Sequence, residues 1–115
     1  MHVTRYADAK PYDAPNHFGV TSVRLQGLEA SPAGSFWCGV SHLLPGGGAK
    51  HGAAPLERMY LVLEGEVTVI TPEGETLLGP MDSCLISAHE PRLLENRSKA
   101  LATIVVVMET AKAVA

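Results

Sequence analysis

The chain carries little of what would mark it for nucleic acid, membrane or an oxidising compartment. Charged residues make up 18% of its 115 positions, and nine Lys and Arg against twelve Asp and Glu leave a net charge of -3. With a pI near 5.9 there is no basic footprint, which argues against nucleic acid and anionic membrane surfaces as partners. Two cysteines, Cys38 and Cys84, are too few for a disulfide scaffold, and both lie in apolar stretches where cysteine behaves as a small hydrophobe. The start, Met1 to Asp8, lacks the charged head and apolar core of a secretory signal. The longest strongly apolar run, Leu101 to Met108, is far too short to span a bilayer as a helix. A reducing cytoplasm is the expected location.

Hydrophobic residues are plentiful, at 46%, which is ample for one packed core and argues against disorder along the whole length. Short β-rich runs alternate with Gly and Pro, and no stretch before the tail keeps a helical period. Strands are predicted near Val20 to Leu28, Ser35 to Leu44, Arg58 to Leu63, Glu66 to Thr71, Glu75 to Leu78, Ser83 to Ile86, Arg92 to Asn96 and Ala102 to Glu109. Turn chemistry separates them at Ser31 to Gly34, Pro45 to Gly48, Glu64-Gly65, Pro72 to Gly74, Gly79-Pro80 and Glu90-Pro91. This many strands in this length points to an all-β, two-sheet jelly roll over residues 19–115. Residues 1–18, rich in Pro, Asp, Asn and Lys, read as an arm on that body. Thr110 to Ala115 read as a frayed helical turn or a segment pairing with a neighbour.

Alternation along Arg58 to Leu63 puts Arg58, Tyr60 and Val62 on one face and Met59, Leu61 and Leu63 on the other. One face lines the barrel. The second is also apolar and needs cover, either from the arm or from another subunit, so a homodimer is expected.

Two segments carry the functional signal: His51 to Glu66, and Leu78 to Asn96. Their framing sequence, Tyr-Leu-Val-Leu-Glu-Gly-Glu-Val, Leu-Gly-Pro-Met-Asp-Ser, Glu-Pro and Asn96, resembles the paired motifs of the cupin superfamily over Ser35 to Met108, specifically a small, single-domain, RmlC-like cupin. The first family motif is Gly-x5-His-x-His-x3-4-Glu-x6-Gly. Anchored on Gly65, it sets Arg58 at the glutamate, Ala53 at the second histidine and His51 at the first. The second is Gly-x5-Pro-x-Gly-x2-His-x3-Asn. Anchored on Asn96, it sets Arg92 at the histidine, His89 and Met81 at the glycines, and Ser87 at the proline. The resemblance implies a double-stranded β-helix, and it implies a transition-metal site of which one ligand in four remains.

The replaced residues change the chemistry. A metal site needs several lone-pair donors converging on one cation, and alanine offers none. A guanidinium has no available lone pair and repels a cation, so Arg58 and Arg92 suit a carboxylate, phosphate or enolate oxygen instead. The expected ligand is a small organic anion held by Arg58 and Arg92, with no cofactor, and with His51 and Tyr60 available for proton transfer. The structural alternative pairs Arg58 with Glu66, Glu95 or Glu57 at the barrel mouth, leaves Arg92 in solvent, and makes Tyr60 a wall of the cavity. A different register of the first motif turns Glu57 inward, where His51 and Glu57, helped by His42 or His89, would hold a divalent transition metal weakly. The Gly-rich run before Lys50 lacks the ending of a phosphate-binding loop, and no Gly-x-Ser-x-Gly elbow is present. Cys38 and Cys84 read as inert buried thiols, and Phe36 and Trp37 as core or arm contacts. Three functional classes follow: a metal-free cupin acting on or sensing an organic anion, a metal-dependent cupin dioxygenase or isomerase, and a filled structural barrel.

Overall fold

The computed structural model describes residues 1–111, and for His51 the backbone only. A 3-10 turn at Tyr6–Asp8 precedes β1 (Lys10–Pro11), β2 (His17–Gln26), β3 (Phe36–Gly52), β4 (Arg58–Glu64), β5 (Val67–Thr71), β6 (Gly74–Leu78), β7 (Ser83–Ile86), β8 (Arg92–Glu95) and β9 (Ala102–Glu109). All pairings are antiparallel. The order is β6-β5-β8-β3-β9-β4-β7, with β2 also on β3 and β1 on β2. This is the nearly closed jelly-roll barrel expected from the sequence. Among the described residues no helix is long and apolar enough to cross a membrane.

The longest strand departs from expectation. Pro45 to Gly48 reads as a turn in the sequence, yet β3 runs through it for 17 residues. Its first half pairs with β9, from Phe36↔Glu109 to Leu43↔Ala102, and its second half pairs with β8 through Gly48↔Glu95 and Gly52↔Arg92. The glycines serve close approach: a Cβ on Gly47 would stand 2.3 Å from the Gly19 carbonyl oxygen, and one on Gly48 2.0 Å from that of Leu94. β3 thus joins the β9 side of the barrel to the β8 side.

Other boundaries shift little. β7 and β9 match the expected spans, while β2 starts three residues early, taking in the end of the arm. It also stops before Gly27 and Leu28, whose positive φ angles of 83° and 50° close a turn. At the other end, Thr110 donates from its backbone to Ser35 and from its hydroxyl to Gly34. The rest of the expected tail segment, 112–115, lies outside the described residues.

Alternation decides what faces inward. Tyr60 and Val62 on β4, Leu43 and Ala49 on β3, Val67 and Val69 on β5, Leu94 on β8 and Ile104 and Val106 on β9 form the buried core. Each fully buried large apolar side chain stabilises the fold by about 1.5–3 kcal/mol. Met59 and Leu63, on the opposite face of β4, are exposed. Asn96 is fully buried: its amide donates to the carbonyls of Leu43 and Ala100, and its carbonyl accepts from Ser98. It ties the turn after β8 to β3 and to the approach to β9.

One cation helps to fasten the arm. The Arg24 guanidinium lies 3.9 Å from the Tyr12 ring centre and 4.5 Å from that of Trp37, and its Nε donates to Glu29 at 2.8 Å. Such a cation–π stack contributes about 0.5–2 kcal/mol. Backbone bonds from Tyr12 to Ser22 and from Lys50 to Asn16 hold the same segment against β2 and β3.

Candidate functional site

The barrel encloses a partly open cavity of about 360 Å³, walled by inward residues of β2, β3, β4, β8 and β9 and roofed by Tyr12 to His17 of the arm. Most of its wall is apolar, with Val20, Leu43, Leu94, Ile104, Val106 and Met108 among the lining residues. Polar groups in such a space dominate its chemistry.

Arg58 and Arg92 both reach this cavity and are 6% and 7% exposed. Arg58 comes from the start of β4, opposite Ile86 on β7 and Met108 on β9; Arg92 starts β8, opposite Gly52. Arg58 donates one N–H to the Glu90 carbonyl at 3.2 Å, and its buried Nε has no partner among the described residues. Arg92 donates from Nε to the Tyr60 hydroxyl at 2.8 Å and from a terminal nitrogen to the Lys50 carbonyl at 2.9 Å. Tyr60 is 4% exposed and its oxygen accepts from Arg92, while its own proton is committed to no described residue.

No described carboxylate pairs with either arginine. The ion pairs present join Arg24 to Glu29 and Arg97 to Glu75 and Glu95. The sequence alternatives for Arg58 are therefore not used: Glu57 is exposed, and Glu95 is engaged by Arg97. Burial holds the Arg58 guanidinium below its ordinary value; Tyr60 partly offsets this, and the nearby Arg92 charge adds to it. Two neighbouring cations in an apolar wall are a costly arrangement without an anion between them.

The motif alignment explains the surrounding backbone. His89 and Met81, at positions where the family motif has glycine, have positive φ angles of 66° and 71°. Both positions keep the conformation that glycine favours although the glycine is gone. Gly65, the anchor of the first motif, has φ 76°.

The other sequence candidates scatter. Glu57 is exposed and does not line the cavity, which corrects the register that would turn it inward. His42 points to the outer side, bonded to the Tyr6 hydroxyl at 2.7 Å and the Thr103 hydroxyl at 3.0 Å, and His89 is exposed in its turn. The side chain of His51 lies outside the described residues. Cys38 and Cys84 are half-buried, and burial pushes both thiols up, as inert thiols require. Trp37 meets Tyr12 edge-on at 5.6 Å, the arm contact expected of it.

One candidate escaped the sequence reading. His17 lines the cavity, and its Nδ1 lies 2.8 Å from the Pro15 carbonyl. A carbonyl only accepts, so Nδ1 carries the hydrogen and Nε2 keeps its lone pair. Burial holds the ring below its ordinary value; the Pro15 bond opposes this and Arg92 reinforces it. Nothing in the local sequence marks His17, because the arm's path over the barrel brings it there.

The donor set does not fit a transition metal. Two of the four family ligand positions hold buried guanidinium groups and a third holds Ala53. Among the described residues no group of three or more His, Cys, Asp and Glu side chains is placed to hold a metal ion.

Known proteins share this architecture. The β-D-galactosidase Rv1717 of Mycobacterium tuberculosis is 39% identical over 108 residues, 94% of this chain and 93% of that protein. The polyketide cyclase RemF of Streptomyces resistomycificus superposes with a TM-score of 0.83 at 20% identity, covering 95% of this chain and 79% of its own. A sugar phosphate isomerase from the cupin superfamily of Silicibacter pomeroyi gives 0.72 at 26% identity over 81% of this chain and 60% of its own. No family model matches the chain. Barrel topology, the positive-φ turns at the motif glycine positions and kinship along nearly the whole length all lead to one assignment: the chain belongs to the cupin superfamily.

Proposed function

We propose that the barrel takes up a small organic anion between Arg58 and Arg92 without a metal ion, and that the anion is a sugar acid on which the cavity transfers protons. The observation that carries this reading is a pair of buried guanidinium groups with no carboxylate partner among the described residues. Buried charge needs a counter-charge, and a bidentate carboxylate supplies one that also fixes orientation. The carbohydrate part rests on the relatives: one is named a galactosidase and another a sugar phosphate isomerase. Tyr60, and His51 by its motif position, are the proton-transfer groups of this reading.

Calorimetric titration with D-galacturonate, D-galactonate and neutral D-galactose tests it. The two acids bind, the neutral sugar does not, and Arg92→Leu abolishes binding while leaving thermal stability unchanged or raised. Equal binding of acid and neutral sugar, or unfolding of the variant, overturns it. Metal analysis of protein purified without chelator is expected to fall far below one ion per chain; a stoichiometric transition metal sinks the metal-free assignment.

A second reading, hydrolysis of a β-galactoside, follows from the 39% identical relative. The usual route needs two carboxyl groups flanking the bond, and Asp13 on the arm is the one carboxylate among the described cavity residues. Release of nitrophenol from nitrophenyl β-D-galactoside by the wild-type protein, lost in Asp13→Asn, supports this second reading.

We also infer that the protein is a homodimer. Met59 and Leu85 are register partners on the outer face of β4 and β7, and with Leu63 they stand exposed there.

A further inference from the structure

We propose that His17 is the general base of the cavity: with a sugar acid's carboxylate held by Arg58 and Arg92, its Nε2 removes the hydrogen from the carbon next to that carboxylate. This deepens the anion reading above and rests on it, giving His17 the base role in place of His51 and keeping Tyr60 as the acid.

Position comes first. His17 opens β2 opposite Ala49 of β3, and it is the histidine that lines the cavity among residues whose side chains are described. A tight turn delivers it there. Asn16 takes a positive φ of 61°, its carbonyl accepts from the Lys50 backbone at 2.8 Å, and the His17 backbone donates to Ala14 at 3.4 Å. Asparagine is among the few residues that adopt this conformation readily.

The tautomer comes next. Nδ1–H is committed to the Pro15 carbonyl, so the nitrogen left for a ligand is an unprotonated Nε2 that makes no hydrogen bond within the described protein. An orienting carbonyl on one ring nitrogen is how a histidine base is held in its productive form. The charged groups that share the cavity with it are Asp13 from the arm, Lys50 from β3, Arg58 from β4 and Arg92 from β8. Burial and Arg92 both favour the neutral ring, which is the form a base needs.

The step balances without any added reagent. The C–H bond breaks, its proton passes to Nε2, and its electron pair forms a C=C bond as the carboxylate becomes an enediolate. The two guanidinium groups face the charge that develops on those oxygens, so they bind the transition state more tightly than the ground state. Once the Nε2 proton has exchanged with solvent, its return to the same face gives hydrogen exchange with retention at that carbon. Where the next carbon bears an oxygen substituent, the C–O bond breaks instead; its electron pair leaves on oxygen, and the Tyr60 hydroxyl supplies the proton that forms the alcohol.

The test uses D-galacturonate and D-galactonate in deuterated buffer, with proton NMR following loss of the hydrogen next to the carboxylate and calorimetry following binding. The wild-type protein is expected to exchange that hydrogen. His17→Gln is expected to bind both acids within about threefold of wild type yet to exchange about 100-fold more slowly, the lower end for loss of a general base. Added imidazole is expected to restore exchange to His17→Ala. Wild-type binding without exchange, undiminished exchange in the variants, or loss of binding in both variants overturns the proposal for His17 and leaves standing the capture of an anion by Arg58 and Arg92. Failure of wild-type protein to bind either acid ends both.

Discussion

Arg92 donates its Nε–H to the hydroxyl of Tyr60, 2.8 Å away and buried. The bond brings a cation and an acid together in the cavity, because both side chains start from inward positions, Tyr60 on β4 and Arg92 at the start of β8. Tyr60→Phe removes the acceptor and leaves a charged donor unpaired in an apolar space. A loss of about 1–3 kcal/mol is expected, measured as a lower urea midpoint with an unchanged slope. An unchanged midpoint would mean that water replaces the phenol and that the pair is not structural.

Backbone conformation gives a prediction of opposite sign at two motif positions. Met81 is 73% exposed with φ 71°, so Met81→Gly relieves a strained conformation at little cost in contacts and is expected to stabilise the protein by about 1 kcal/mol. Gly65→Ala does the reverse. Its new Cβ would stand 2.5 Å from the Leu101 carbonyl oxygen at a φ of 76°, and thermal melts should show a large loss.

Acid should weaken the fold through His17. Burial is the main cause of its lowered folded value, with Arg92 adding to it, while the unfolded chain titrates near 6.5. Between these two values the unfolded state binds more protons, so stability falls as pH drops from about 6.5 through the folded value. Asp13, Lys50, Arg58 and Arg92 share that environment. His17→Gln should flatten this part of the melting-temperature profile; an unaltered profile would assign the acid sensitivity to other groups.

Light scattering checks the expected dimer. The measured mass should be twice the 12.2 kDa of the chain, and Leu85→Glu, which adds charge to an exposed site opposite Met59, should return it to a single chain's mass. A wild-type monomer would instead leave those side chains open to water.

Much of this was legible in the sequence, for physical reasons that differ by residue. The period-2 pattern of Arg58 to Leu63 gave the inward face, because a single-residue slip would expose Val62 and bury Glu57. Gly65 and Asn96 fixed the positions of both arginines, since one needs a positive φ and the other bonds two carbonyls across the barrel end. The Pro45 to Gly48 run misled because a missing Cβ serves a reversal and a close strand crossing equally well. His17 was hidden for another reason: its place is set by the arm's contacts with β2 and β3, and no local spacing encodes them.

The chain's one tryptophan, Trp37, sits against Arg24 and forms part of the wall around Tyr60 and the arginines. Nature has thereby wired an optical gauge into the chamber. Ultraviolet emission excited at the indole should change in colour or brightness when a guest enters, with no dye attached.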